Sequence, residues 1–220
     1  MQWSNEIFWT LFSDNTINSY LSLVLNCNRI SLPPSVFIFN ANFTQYFGSL
    51  NNETNFTLEF LNQNGIGGSC FSQCDTFYFP VHVSGDFEHW ILIRLERKTK
   101  IITQFDSLNG DFYANIEANF RKFLKAKIPG DQFKASEYSF NVGFSARQSD
   151  SSSCGIYCIL NLLTEINLLT FQIESTPSFI KMIKTIMIHE FLSFVNDEDC
   201  FILDILGSTG SQWFKPRHVS

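Results

Sequence analysis

The runs Phe77-Tyr78-Phe79-Pro80-Val81-His82-Val83, Trp90-Ile91-Leu92-Ile93-Arg94-Leu95 and Ile101-Ile102-Thr103-Gln104-Phe105 decide the fold. Each has strand length, and Gly85-Asp86 and Lys98-Thr99-Lys100 between them carry turn chemistry. Val81, Val83, Ile91, Leu92, Ile93, Ile101 and Ile102 make the runs apolar on both faces, the pattern of a central sheet covered on two sides.

The flanking sequence supplies covering helices. Asp14 can cap a helix whose apolar face runs through Ile17, Tyr20, Leu21, Val24 and Leu25, and Pro33-Pro34 stops it. In the segment from Ser35 to Phe47, Val36, Phe39, Phe43 and Phe47 recur about one turn apart and predict a second helix. Gly65 to Gly68 reads as a loop. Downstream, a helix is expected over Asp111 to Lys127, ended by Pro129-Gly130, then a strand near Phe133 to Val142. Gly155 to Leu169 reads as a strongly apolar helix. Ser178 to Val195 reads as another, with Phe179, Ile183, Ile186, Phe191 and Val195 buried. The whole is an α+β fold, a small mixed central sheet flanked by helices. No repeat or long linker divides it. Residues 1–195 are expected to form the domain and 196–220 an extension whose tail starts flexibly near Gly207 to Ser211.

Composition narrows the class. Of 220 residues, 25 Phe, 4 Trp and 6 Tyr are aromatic, while only 16% are charged and the net charge is −6. Sparse charge with this much Phe and Ile argues against disorder. Few Lys and Arg make a poor phosphate-backbone binder, so no nucleic-acid partner is expected. No apolar run reaches the ~18 residues of a membrane span. The start, Met1-Gln2-Trp3-Ser4-Asn5-Glu6, lacks the basic and apolar regions of a secretory signal. A cytoplasmic or nuclear location is therefore expected, with thiols reduced. In that setting the sequons at Asn42, Asn52 and Asn55 are chance matches. Cys70/Cys74 and Cys154/Cys158 share a spacing, but structural zinc motifs use tighter pairs with nearby His. No metal or cofactor is expected.

One segment carries chemistry. Gln148-Ser149-Asp150-Ser151-Ser152-Ser153-Cys154-Gly155 ends a polar loop and opens the apolar helix. Backbone N–H groups and the helix dipole there favour a thiolate at Cys154, and Gly155 lets a substrate backbone approach. A buried structural cysteine is the alternative reading, and it suits Cys158. Of the four histidines, His218 lies in the tail, His189 on a helix, and His82 alternates with Val81 and Val83 in a strand. His89 stands at a loop-to-strand boundary, and Asp106 ends the next strand seventeen residues later. Adjacent antiparallel strands would set the two side by side as base and orienter for a nucleophile.

The chain order His, Asp, Gln, Cys resembles the Ulp/sentrin-specific protease family and the adenovirus proteinase, a papain-like core in permuted order. Leu11-Phe12-Ser13-Asp14-Asn15-Thr16-Ile17-Asn18-Ser19-Tyr20 resembles the family's first helix. Val36-Phe37-Ile38-Phe39-Asn40-Ala41-Asn42-Phe43 resembles its Val-x-x-Phe-Asn-x-x-Phe segment. Pro80-Val81-His82-Val83, His89-Trp90 and Phe105-Asp106-Ser107-Leu108 resemble its Pro-Ile-His, His-Trp and Tyr-Asp-Ser elements. Gln148 through Cys154-Gly155 fits its Gln-x5-Cys-Gly. The resemblance spans roughly residues 8–195.

It implies a thiol protease with Cys154 as nucleophile, His89 as general base and acid, Asp106 orienting the imidazole, and Gln148 donating to the oxyanion. It implies a substrate, SUMO or a related ubiquitin-like modifier, whose C-terminal Gly-Gly threads a narrow tunnel under Trp90. Asp14, Leu11 and Gly155 are the further substrate-binding candidates. The chain departs from the family at Leu11, where the family has a tunnel Trp (Trp9 lies two residues earlier), and at Ser153, where it has Asp. Both departures bear on how tightly the tail is held. The expected reaction is maturation or removal of the modifier by a monomer. Ubiquitin or another modifier is the alternative substrate, and an inactive modifier-binding domain the alternative class. Acetyl transfer, known on this fold, more often uses Glu than an Asp such as Asp106. Past the resemblance, Ile202-Leu203-Asp204-Ile205 is similar to a SUMO-interacting motif, or packs on the domain.

Overall fold

The structure is a computed structural model, and it describes residues 16–18, 20–21, 32–41, 73–84, 88–108, 110–125, 134–169 and 172–195, the last without side chains from 189 onward. Five strands form one mixed sheet in the order β1-β2-β3-β4-β5. They are β1 (Val36–Ile38), β2 (Thr76–Val83), β3 (His89–Glu96), β4 (Ile101–Phe105) and β5 (Ser139–Val142). The three apolar runs at 77–83, 90–95 and 101–105 lie in the central antiparallel strands. The outer strands pair parallel, β1 with β2 and β5 with β4. Among the described residues, helices α1 (Ala114–Lys125), α2 (Cys154–Glu165) and α3 (Pro177–Val195) follow or interleave, and residues 16–18 and 20–21 are also helical.

Both faces of the sheet are covered, because the alternation along β2 and β3 sends apolar side chains to each side. Phe77, Phe79, Val81, Ile91, Ile93 and Leu95 join Phe120 and Phe123 of α1 in one buried cluster. Tyr78, Trp90, Leu92 and Phe105 join Ile156, Tyr157, Leu160 and Leu163 of α2 and Phe179, Ile180 and Ile183 of α3 in the other. The helix α2 lies along β3, where the Cys158 thiol donates to the Ile91 carbonyl at 3.3 Å. At the far end Glu165, the last residue of α2, is ion-paired with Arg94 of β3. Ile17, Tyr20 and Leu21 are buried in the same cluster as α2, as their helical spacing predicts. Val24 and Leu25 lie outside the described residues, as do Phe43, Phe47 and everything past Val195.

One element differs from the sequence reading. The helix expected from Ser35 to Phe47 is a strand where it is described, at Val36–Ile38. Val36, Phe37 and Ile38 pair with Thr76, Phe77 and Tyr78, and Phe39 N–H donates to Tyr78 O at 2.8 Å. Phe39 then stacks on Phe79, ring centroids 4.1 Å apart. Pairing with a strand forty residues away, through residues that suit a pleated surface, outweighs the helical spacing of the aromatics. The strand expected from Phe133 starts at Ser139, after a 3-10 turn over Ala135–Glu137. No helix among the described residues is long and apolar enough to cross a membrane.

Candidate active site

The sheet brings three chain segments to one end. His89 is the first residue of β3, Asp106 directly follows β4, and Cys154 is the first residue of α2. Each is 1% exposed. The antiparallel pairing of β3 and β4 places the His89 and Asp106 side chains together, with Nε2 of His89 2.7 Å from Oδ1 of Asp106. A carboxylate only accepts, so Nε2–H donates and Nδ1 remains to face Cys154, with which His89 shares a second side-chain hydrogen bond.

Asp106 is held by more than the imidazole. Its Oδ1 also accepts from Leu108 N–H at 2.8 Å, and its Oδ2 from the Tyr113 hydroxyl at 3.1 Å. Burial alone would raise its pKa, but the bonds from His89, Leu108 and Tyr113 and the charge on His89 hold it below the usual carboxylate range. Burial also works against protonating His89. The hydrogen bonds to Asp106 and Cys154, with the charges on both, outweigh it and lift the imidazole to about 9. A proton is thus held on the imidazole beside Cys154 at neutral pH, where it can serve as a general acid. Cys158, one turn into α2, is fully buried, and desolvation pushes its thiol up, as suits an inert structural cysteine.

Gln148 lies in the loop between β5 and α2 and is 7% exposed. Its backbone N–H donates to Ser107 O at 2.8 Å, and its Oε1 accepts from the Ser107 hydroxyl at 2.5 Å. Its Nε2 donates to Asp150 O at 2.6 Å. The Asp150 carbonyl accepts only, which fixes the carboxamide the right way round. The Asp150 carboxylate in turn accepts from Ser152 N and Ser153 N through Oδ1, each at 2.8 Å, and from the Ser153 hydroxyl through Oδ2 at 2.6 Å. Partial burial would raise its pKa, but these donors and the charge of Lys184 on α3 lower it. Ser153 caps α2 without a side-chain bond to the helix, because its hydroxyl serves Asp150 instead. The N–H groups of Cys154 and Gly155 sit in the first turn of α2, which has no helical carbonyl to bond.

Trp90 is 3% exposed and belongs to the same apolar cluster as Cys154. Its ring lies against His82, centroids 4.8 Å apart, and His82 Nε2 is 2.9 Å from Oε2 of Glu88. Gly155 is buried in the first turn of α2. Leu11 and Asp14 lie outside the described residues. Among the described residues no group of three His, Cys, Asp or Glu side chains could hold a metal. The structure therefore assembles His89, Asp106 and Cys154, and it ties Gln148 into the same loops. Sequence reasoning gave no role to Ser107, Tyr113 or Asp150. Asp150 did carry a signal: an Asp whose carboxylate can reach the N–H groups two and three residues on is a turn-forming pattern.

Residues 14–198 match the Ulp1 protease family, C-terminal catalytic domain. No curated protein matches the chain in sequence. Among solved structures, the SUMO protease Ulp1 with its catalytic cysteine oxidised to a sulfonic acid is similar, with a TM-score of 0.61 at 17% identity over 83% of this chain and 78% of that one. The C-terminal Ulp1 protease domain in complex with Smt3, the yeast ortholog of SUMO, gives 0.57 at 18% identity over 83% and 77%. The Xanthomonas campestris effector XopD bound to ubiquitin gives 0.51 at 13% identity over 80% and 90%. At these identities the likeness is one of fold.

Proposed function

We propose that this chain, which belongs to the Ulp1 protease family and is a cysteine peptidase, cleaves the bond after the C-terminal Gly-Gly of a ubiquitin-like modifier, with SUMO the favoured substrate. The observation that carries the reading is the buried chain of contacts from Asp106 through His89 to Cys154, with the 2.7 Å His89–Asp106 bond at its centre.

In this reading the Cys154 thiolate attacks the carbonyl of the terminal glycine. The tetrahedral oxyanion takes hydrogen bonds from the Gln148 carboxamide and the backbone N–H groups that open α2. Such a donor is worth about 3 kcal/mol of barrier. The imidazolium of His89 gives its proton to the leaving amine, a peptide nitrogen in maturation or a lysine nitrogen in deconjugation. The thioester that remains is hydrolysed by a water that His89 deprotonates. Asp106 keeps the ring oriented and stabilises its charge. Gly155 and Trp90 bound the path of the tail, with Leu11 and Asp14 as further contacts. Residues 1–195 form the catalytic unit, acting as a monomer, and 196–220 an extension. SUMO is preferred over ubiquitin because the short span from Pro80 to Trp90 and the Phe39-Asn40 segment resemble SUMO-directed members.

A panel of modifiers bearing a C-terminal thiol-reactive electrophile tests this. SUMO is expected to form an adduct fastest, at Cys154, and Cys154→Ala to abolish it. Faster reaction with ubiquitin would replace the substrate and keep the chemistry. An adduct that persists in Cys154→Ala would overturn the site, and no adduct with any modifier would leave a binding domain.

A further inference from the structure

Two parts of the proposed oxyanion site meet at one residue. The Asp150 carbonyl accepts the Nε2–H of Gln148 at 2.6 Å. Its carboxylate accepts the N–H groups of Ser152 and Ser153 at 2.8 Å and the Ser153 hydroxyl at 2.6 Å. The side-chain donor and the helix N-terminus thus share one support, four residues before Cys154, where the loop gives way to buried helix. Ser153 is fully buried, whereas Asp150 itself is exposed. An exposed residue that bonds inward through its carbonyl to Gln148 and through its carboxylate to Ser152 and Ser153 is organising the loop rather than filling the core.

We propose that Asp150 is the positioning residue of the oxyanion site, holding the Gln148 carboxamide and the first N–H groups of α2 in one fixed relation. The inference rests on the peptidase reading above. Without the carboxylate, Ser152 and Ser153 lose their anchor, the turn opens, and the carbonyl that holds Gln148 moves with it. The effect falls on the transition state, where the oxyanion exists, and not on the ground-state complex. It also spares the thiol. Alkylation of Cys154 by iodoacetamide displaces iodide from carbon and develops no oxyanion, and removing a nearby negative charge does not disfavour a thiolate.

The test uses the full chain as wild type, Asp150→Ala and Asp150→Asn. Turnover is followed on the C-terminal coumarin amide of whichever modifier labels fastest, and alkylation of Cys154 by iodoacetamide is followed by peptide mass spectrometry. Asp150→Ala is expected to lower kcat roughly 10- to 100-fold with KM within about twofold, and to leave alkylation undiminished. Asp150→Asn keeps an acceptor for the two N–H groups and loses the one for the Ser153 hydroxyl, so its kcat should fall between. If Asp150→Ala does not fold, Asp150→Asn carries the test alone by the same split. A kcat within twofold of wild type, or alkylation falling in step with kcat, overturns the inference. Absence of turnover by wild-type protein overturns the peptidase reading itself, and this inference with it.

Discussion

Ser107 holds Gln148 at two points, its carbonyl accepting the Gln148 backbone N–H at 2.8 Å and its hydroxyl donating to Oε1 at 2.5 Å. The residue after Asp106 therefore fixes both the chain and the carboxamide of the proposed oxyanion donor. The base side and the oxyanion side of the site are tied by a single serine that is 1% exposed. Ser107→Ala keeps the backbone bond and strands a buried amide oxygen, a loss of about 1–3 kcal/mol. Turnover should fall roughly tenfold with KM little changed, while Cys154→Ala-sensitive adduct formation persists at a reduced rate. Unchanged kcat would show that Asp150 alone holds the amide.

The raised pKa of His89 sets the alkaline limit. Active enzyme carries the imidazolium, so kcat/KM should hold up to about pH 9 and fall as His89 loses its proton. Asp106→Ala leaves the burial that lowers the value and removes one bond and one charge that raise it, so that only the contacts with Cys154 still oppose burial. The alkaline limb should then move down toward or below the ordinary 6.5, along with a large drop in rate. Stability follows the same sign: the contribution of the charged pair is full below 6.5 and is lost as pH rises through about 9. A pH–rate profile of the variant that keeps the wild-type limb would remove Asp106 from its role.

Tyr113 donates to Asp106 Oδ2, so Tyr113→Phe raises the pKa of Asp106. Asp106 is lowered in the fold, so its contribution is present above the unfolded value of 3.8 and is lost as pH falls through the folded one. Tyr113→Phe should cost about 1 kcal/mol at neutral pH, and the difference in Tm from wild type should shrink as pH drops below 3.8. A Tm difference that is constant with pH would point to lost packing alone.

Gly143 lies where a Cβ would come within 2.5 Å of Cε1 of the Phe105 ring and 2.8 Å of the Thr103 methyl. Phe105 immediately precedes Asp106, so a side chain here pushes on the strand that presents the orienter. Gly143→Ala should cost about 1–3 kcal/mol by overpacking, read as an earlier denaturation midpoint, and should lower kcat as well. Wild-type stability would mean that β5 yields freely.

The parts legible in the sequence were those whose signal is local. β2, β3 and β4 are continuous apolar runs with turn residues between them, and His89, Asp106 and Cys154 sit at element ends, where side chains reach a site. Val36 to Ile38 misled because its fate depends on pairing with Thr76 to Tyr78, which no window around residue 36 contains. The hydroxyl of Tyr113 reaches Asp106 from just before α1, a meeting that no residue spacing encodes. Ser107 was hidden because it meets Gln148 across forty-one residues, and the hold of Asp150 on Gln148 because it runs through a backbone carbonyl, identical at every residue.

The lie of α2 along β3 carries one more consequence. Cys154 and Arg94's partner Glu165 are the two ends of one twelve-residue rod, about 18 Å long, and the strand beside it bears His89 at one end and Arg94 near the other. Thiol and imidazole meet only while rod and ribbon stay in register. A slip of a fraction of one turn at the Arg94–Glu165 end would be felt as a misalignment at the opposite end, so inactivation should precede or coincide with melting of this contact and never lag behind it.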